Sequence, residues 1–190
     1  MEQRVRQIFA QSIAVKQKTL EVNCGQIVQA AKLILKCIQR GGKVILFGNG
    51  GSAADSQHIA AEFIGRFQKE RKSLAAIALT TDTSILTALA NDYCFDIVFS
   101  RQIEGLGRSR DVAIGFSTSG NSKNVIVGLK TAKKMGLNTI SLTGNRGGKI
   151  ATLTDVSLIV PSTHTARIQE SHICIAHAIC ELVENNLGKK

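Results

Sequence analysis

The chain has 190 residues, 44% of them apolar and 20% charged, with a net charge of +10 from 24 basic and 14 acidic side chains. That length suits one compact domain with a real hydrophobic core and leaves no room for a second catalytic domain. No apolar run reaches the roughly 20 residues of a membrane-spanning helix, and the opening MEQRVRQIFAQSIAVKQ lacks the basic start and apolar core of a secretory signal.

Two helical patterns come first, about Glu2–Val22 and Gly25–Arg40. Five short apolar, β-branched runs follow: Lys43–Gly48, Ala75–Thr80, Asp111–Ser117, Asn138–Gly144 and Val156–Ser162. Their near-continuous hydrophobicity suits strands buried on both faces of a parallel sheet. Helical patterns separate them at Ser52–Phe67, Thr83–Ala90 and Ser122–Met135, the last stopped by Gly136, and a long helix at about Thr165–Leu187 closes the chain. Strand–helix alternation predicts an α/β fold, a five-stranded parallel sheet flanked by helices. The N-terminal and final helices exceed what five strands need for cover, which predicts a homo-oligomer.

The positive charge does not point to nucleic acid. Lys and Arg are spread along the chain, the densest run (Arg66–Lys72) includes Glu70, and seven Phe, one Tyr and no Trp make a poor platform for stacked bases. A basic surface also attracts small anionic substrates. The five cysteines are scattered without a C-x-x-C pair, as in reduced, mostly buried thiols of a cytoplasmic protein.

Ligands of a parallel sheet bind beyond the carboxyl ends of its strands. Three such ends here carry polar, glycine-bearing loops: GNGGSAADSQH after the first strand, STSGNSKN after the third and SLTGNRGG in the fourth. GNGGSA fits the dinucleotide pattern G-x-G-x-x-[GA], but Asp82, the acid that would hold a ribose, lies 29 residues after Ala53. The usual distance is about 20, so no nucleotide cofactor is expected. Ser117, Thr118, Ser119 and Ser122 place four hydroxyls at a strand-to-helix transition, where the helix N-terminus favours an anion. The loop has no Walker-type lysine, which favours a sugar phosphate over ATP. The plainer alternative is a serine-rich loop that merely caps the next helix.

His58 and Glu62, four apart, share one helix face and can converge on the glycine loop. The AEFIGRF sequence around them suggests a buried helix, in which a charged pair needs a partner. The final helix is apolar around much of its circumference yet carries Gln169, Glu170, His172 and His177, polar groups that must find partners if buried. These helices are far apart in sequence and the surplus helices must bury apolar faces somewhere, which predicts a site completed across a subunit interface.

Together, GNGGSAADSQHIAAEFIGRF, LTALANDYCFDIVFSRQIEGLGRSRDVAIGFSTSGNSKNVI, SLTGNRGG and RIQESHICIAHAICELVE resemble the phosphoheptose isomerase family, within the sugar-isomerase (SIS) domain group. The resemblance runs over nearly the whole chain. It implies a SIS-type three-layer fold with sheet order 2-1-3-4-5 and a single SIS domain over residues 1–190, of which 1–40 form a helical extension. It also implies a cytoplasmic bacterial homotetramer that converts sedoheptulose 7-phosphate to D-glycero-D-manno-heptose 7-phosphate, the first step toward ADP-heptose and the heptoses of surface glycans such as lipopolysaccharide.

By the same resemblance, substrate-binding positions fall on Asn49, Gly50, Gly51, Ser52, Glu62, Asn91, Asp92, Ser117, Thr118, Ser119, Ser122 and Gln169. The acid/base pair falls on Glu62 and His177. Zinc, one ion per subunit, falls on His58, Glu62, Gln169 and His177. Some relatives carry an acid where this chain has Ala166, so any role of that acid does not carry over. A SIS-domain regulator that binds a bacterial replication initiator resembles the chain over similar length. It lacks Glu and His at the positions of Glu62 and His177, and this chain has both.

Overall fold

The computed structural model describes residues 1–188; Lys189 and Lys190, which close the expected 1–190 domain, lie outside the described residues. Six helices and five strands alternate in chain order: α1 (Glu2–Gln39), β1 (Val44–Phe47), α2 (Gly51–Ile64), β2 (Ala76–Ala78), α3 (Thr83–Asp92), α4 (Ser100–Leu106), β3 (Val112–Ser117), α5 (Lys123–Lys134), β4 (Asn138–Gly144), β5 (Val156–Val160) and α6 (Thr165–Asn186). All strand pairs are parallel, in the order β2-β1-β3-β4-β5. The α/β fold expected from the alternation and the sheet order implied by the resemblance are both present.

Two apolar cores sandwich the sheet. On one face α1, α2 and α6 pack through Ile34, Phe63 and Ile175 against Leu46, Phe116 and Leu158. On the other, α3, α4 and α5 pack through Leu86, Ile103 and Leu129 against Ile45, Phe47 and Ala113. Every residue of β1 and β3 is buried. Burial on both faces is why those runs show no alternation of apolar and polar residues.

The N-terminus departs from the two helices expected. Glu2–Gln39 is one continuous helix that runs through the break expected between Val22 and Gly25, and Gly25 sits exposed within it. The compensation is tertiary. Buried Asn23 donates to the Ile159 carbonyl and accepts from its N–H, both at 2.9 Å. It thereby pairs with the outer edge of β5 as another strand would. Those bonds outweigh the roughly 1 kcal/mol that a mid-helix glycine costs.

The segment between the third predicted helix and the third strand, where the sequence shows no pattern, contains a 3₁₀ turn (Phe95–Ile97) and α4. Helix α2 stops at Ile64, short of Phe67. The thiols are all unpaired, but only Cys37 and Cys180 are buried; Cys24, Cys94 and Cys174 are exposed. Among the described residues no helix is long and apolar enough to cross a membrane.

Candidate active site

The sheet order reverses direction at β1, whose neighbours are β2 on one side and β3 on the other. Such a switch point opens a crevice beyond the strand ends. The GNGG loop leaves β1 there and the STSGNS loop leaves β3 beside it, since Phe47 is in register with Gly115. A reciprocal pair joins the two loops: Asn49 and Asn124 each donate their side-chain amide to the other's oxygen at 2.9 Å. Asn124, on the first turn of α5, was not among the expected site residues. It closes the STSGNSKN segment, where a second amide gave no pattern of its own.

The serine loop is a cluster of hydroxyls rather than a capping motif. Ser122 stands at the N-cap of α5 without a side-chain capping bond. Its Oγ instead meets Ser117 Oγ at 2.8 Å, and Ser119 Oγ lies 3.5 Å from the same atom. The Ser122 N–H points to Ser117 Oγ at 3.4 Å. The first-turn N–H groups of a helix have no partner inside it, so this cluster faces the donor end of α5.

The SLTGNRGG segment and the two residues after it brace that loop from behind. Gly144 N–H donates to the Thr118 carbonyl, Ile150 N–H to the Gly120 carbonyl and Lys149 N–H to Asn121 Oδ1, each at 3.1 Å. Gly120 adopts φ +66°, and a Cβ there would lie 2.1 Å from the Gly147 carbonyl oxygen. Only glycine lets the two loops touch so closely.

His58, Glu62 and His177 come together where α2 meets α6. His58 Nε2 lies 3.3 Å from Glu62 Oε1 and 2.9 Å from His177 Nε2. All three assemble within one chain, so their meeting needs no second subunit. The buried-helix expectation is corrected here. The face of α2 that is buried carries Ser52, Ser56, Ile59, Ala60 and Phe63, while the His58 side chain is 50% exposed and that of Glu62 22%. Their partner is His177, supplied from α6.

Nitrogen, nitrogen and oxygen donors this close are a set that could hold a metal ion. A tetrahedral zinc with bonds of about 2.0–2.1 Å has donor–donor edges of about 3.3 Å, close to the two separations seen. Asp55, one turn before His58, has a buried Oδ2 with no partner among the described residues. Burial lifts its pKa to about 6 against the opposing pull of His58.

The other expected residues are placed as follows. Ser52 is buried at the start of α2, behind the exposed Gly50 and Gly51. The Gln169 amide lies over Gly51, where a Cβ would sit 2.5 Å from its nitrogen. It is thus set toward the glycine loop, about 12 Å along the α6 axis from His177 at 1.5 Å per residue. Asn91 and Asp92 are exposed on the last turn of α3 and bonded to each other at 2.9 Å. Among the described residues no hydrogen bond ties them to the serine loop. Asp82, the misplaced ribose acid, caps α3 by accepting from Ile85 N–H at 2.9 Å.

The sequence model of the SIS domain matches residues 7–144. A phosphoheptose isomerase of Aquifex aeolicus (strain VF5) is 57% identical over 184 residues, 97% of this chain and 96% of that protein. The chain belongs to the SIS-domain family, among the phosphoheptose isomerases. A phosphoheptose isomerase of Neisseria gonorrhoeae (strain NCCP11945) is 54% identical over 190 residues, covering 98% of this chain and 96% of its own length. The solved structure of phosphoheptose isomerase GmhA from Neisseria gonorrhoeae superposes with a TM-score of 0.92 at 51% identity, covering 97% of this chain and 98% of its own. That of a phosphoheptose isomerase from Francisella tularensis also reaches 0.92, at 35% identity over 96% and 97%.

Proposed function

We propose that the chain is an aldose–ketose isomerase converting sedoheptulose 7-phosphate to D-glycero-D-manno-heptose 7-phosphate, the entry step to ADP-heptose. The observation that carries this reading is the meeting of Glu62 with His177 at one site beside His58, in a chain so close to the phosphoheptose isomerases over its full length. The replication-initiator regulator lacks that acid/base pair.

Ser117, Thr118, Ser119 and Ser122 hold the phosphate at the donor end of α5. Asn49, Gly50, Gly51, Ser52 and Gln169 line the sugar at the adjoining loop, and Asn91 and Asp92 close over it. Glu62 removes the proton from the hydroxyl-bearing C1 of the ketose. The freed pair forms the C1=C2 bond while His177 gives a proton to the C2 oxygen, leaving an enediol. Return of a proton to C2 and loss of one from the C1 hydroxyl yield the aldose. The balance is redox-neutral and needs no nucleotide cofactor.

His58, Glu62 and His177 are the residues that would hold a Zn²⁺, one per subunit, and Gln169, here set against Gly51, would join them as the fourth ligand only by turning from the glycine loop toward the cluster. Bound there, zinc would act as a Lewis acid on the sugar carbonyl. The chain works as a single SIS domain in a cytoplasmic homotetramer, with membrane and nucleic acid absent from its partners. Val5, Phe9 and Ile13, exposed at four-residue spacing along α1, support burial of that helix against other subunits.

The test is incubation of the purified protein with sedoheptulose 7-phosphate in D₂O, with and without added Zn²⁺, followed by NMR. Appearance of the aldose with solvent deuterium on carbon supports the reading. A substrate left unconverted and unlabelled under both conditions overturns it.

A further inference from the structure

The stretch from Gly65 to Ser73, between α2 and β2, has no regular structure, yet it is firmly tied to both neighbouring helices. Glu184, buried on α6, accepts hydrogen bonds from the backbone N–H groups of Phe67, Gln68 and Lys69 at 3.1, 2.8 and 2.9 Å. It also accepts from Arg71 Nε at 2.9 Å. The remaining Arg71 nitrogens donate to the carbonyls of Glu62, Phe63, Gly65 and Lys72 at 2.7–3.2 Å. One carboxylate and one guanidinium thus satisfy the open end of α2 and pin the turn against α6.

Glu184 lies seven residues after His177, two turns along the same face of α6. The turn it anchors therefore brings Phe67 beside His177, with ring centroids 5.4 Å apart and planes inclined by 32°. His58 lies beside the same imidazole, its centroid at 5.1 Å. The His177 ring is held between an apolar neighbour fixed by the clamp and a polar one on α2. A histidine χ2 angle has a broad, soft preference of its own, so packing decides where the ring nitrogens point.

We propose that Phe67, clamped by Glu184 and Arg71, is a positioning residue for the isomerisation: it sets the orientation in which the His177 imidazole faces His58 and Glu62. The inference rests on the function proposed above and adds to it a residue that acts only through His177. Small displacements of a reacting group are costly, up to about a hundredfold for 1 Å. A mere core-filling role would instead show in stability alone.

The experiment compares Phe67→Ala and Phe67→Tyr with the wild-type protein in three measurements: steady-state kinetics on sedoheptulose 7-phosphate, thermal melting and a crystal structure of Phe67→Ala. Phe67→Ala is expected to lower kcat about tenfold or more with KM changed less than about threefold. Phe67→Tyr, which keeps the ring, should restore most of that loss. In the crystal the His177 ring of Phe67→Ala should turn from His58. Wild-type kcat in folded Phe67→Ala, a loss confined to the melting temperature, or an unmoved His177 ring each overturns the proposal. If Phe67→Ala does not fold, Phe67→Leu, still apolar but without a ring, takes its place in all three comparisons. If the wild-type protein itself leaves the substrate unconverted, the function fails, and the ring position in the crystal alone decides the role of Phe67.

Discussion

Asn49 and Asn124 exchange two hydrogen bonds of 2.9 Å across the crevice where the sheet order reverses. Asn124 Oδ1 also accepts the Val125 N–H at 2.9 Å. One buried amide therefore ties the glycine loop after β1 to the first turn of α5.

Asn124→Ala should loosen both loops at once. Removing a partner from a buried hydrogen bond costs about 1–3 kcal/mol, which denaturant unfolding will read. The KM for the sugar phosphate should rise more than kcat falls, because the loss is in binding rather than chemistry. A variant with the wild-type KM would separate this amide pair from the substrate site.

Ser119→Ala combined with Ser122→Ala should raise KM strongly while the fold stays intact, since hydrogen bonds to a charged group are worth about 1.5–3 kcal/mol each. Inorganic phosphate should lose its inhibition of the double variant in parallel. Unchanged KM and inhibition would mean that the phosphate binds elsewhere.

Glu62→Gln keeps the size of the side chain and removes its basicity. Turnover should fall about 10²–10⁴-fold, the usual worth of general acid–base catalysis. His177→Gln should do comparable damage, and the double variant should be little worse than either single one if the pair acts as a unit. Deuterium exchange at carbon in Glu62→Gln at the wild-type rate would assign the base to another group.

His172 makes the protein acid-sensitive. It is fully buried and its Nε2–H donates to the Thr143 carbonyl at 3.1 Å, while Nδ1 has no partner among the described residues. A second proton would enter a buried site with no acceptor, and burial pushes the pKa down to about 4, only partly offset by the Thr143 bond. The folded form thus resists a proton that the unfolded chain accepts near 6.5. Stability is full above about pH 6.5 and declines as pH falls toward about 4, by about 3 kcal/mol in all. His172→Gln, which can still donate to Thr143, should flatten that part of the pH–stability curve; an unchanged slope would place the acid sensitivity in other groups.

Several features were legible in the chain alone because they are local. Apolar runs such as VILF and VAIGFS specify strands buried on both faces, and the polar loops at their ends mark where ligands gather. The spacing of His58 and Glu62 sets both on one helix face before any packing is known. The break expected between Val22 and Gly25 misled for the opposite reason. The local weakness of the helix beside Gly25 is overruled by Asn23, whose amide is committed to the edge of β5 more than a hundred residues away.

The third member of the His58–Glu62–His177 cluster, the Asn124 lock and the Glu184–Arg71 clamp were likewise decided by tertiary structure. Each depends on segments far apart in the chain meeting after the sheet has assembled, and a residue's own sequence neighbours hold no record of that meeting. Periodicity can assign His177 to a helix with one apolar stripe. Only the packing of α6 across α2, with Phe63 and Ile175 in one shared core, determines that its imidazole meets His58 rather than solvent.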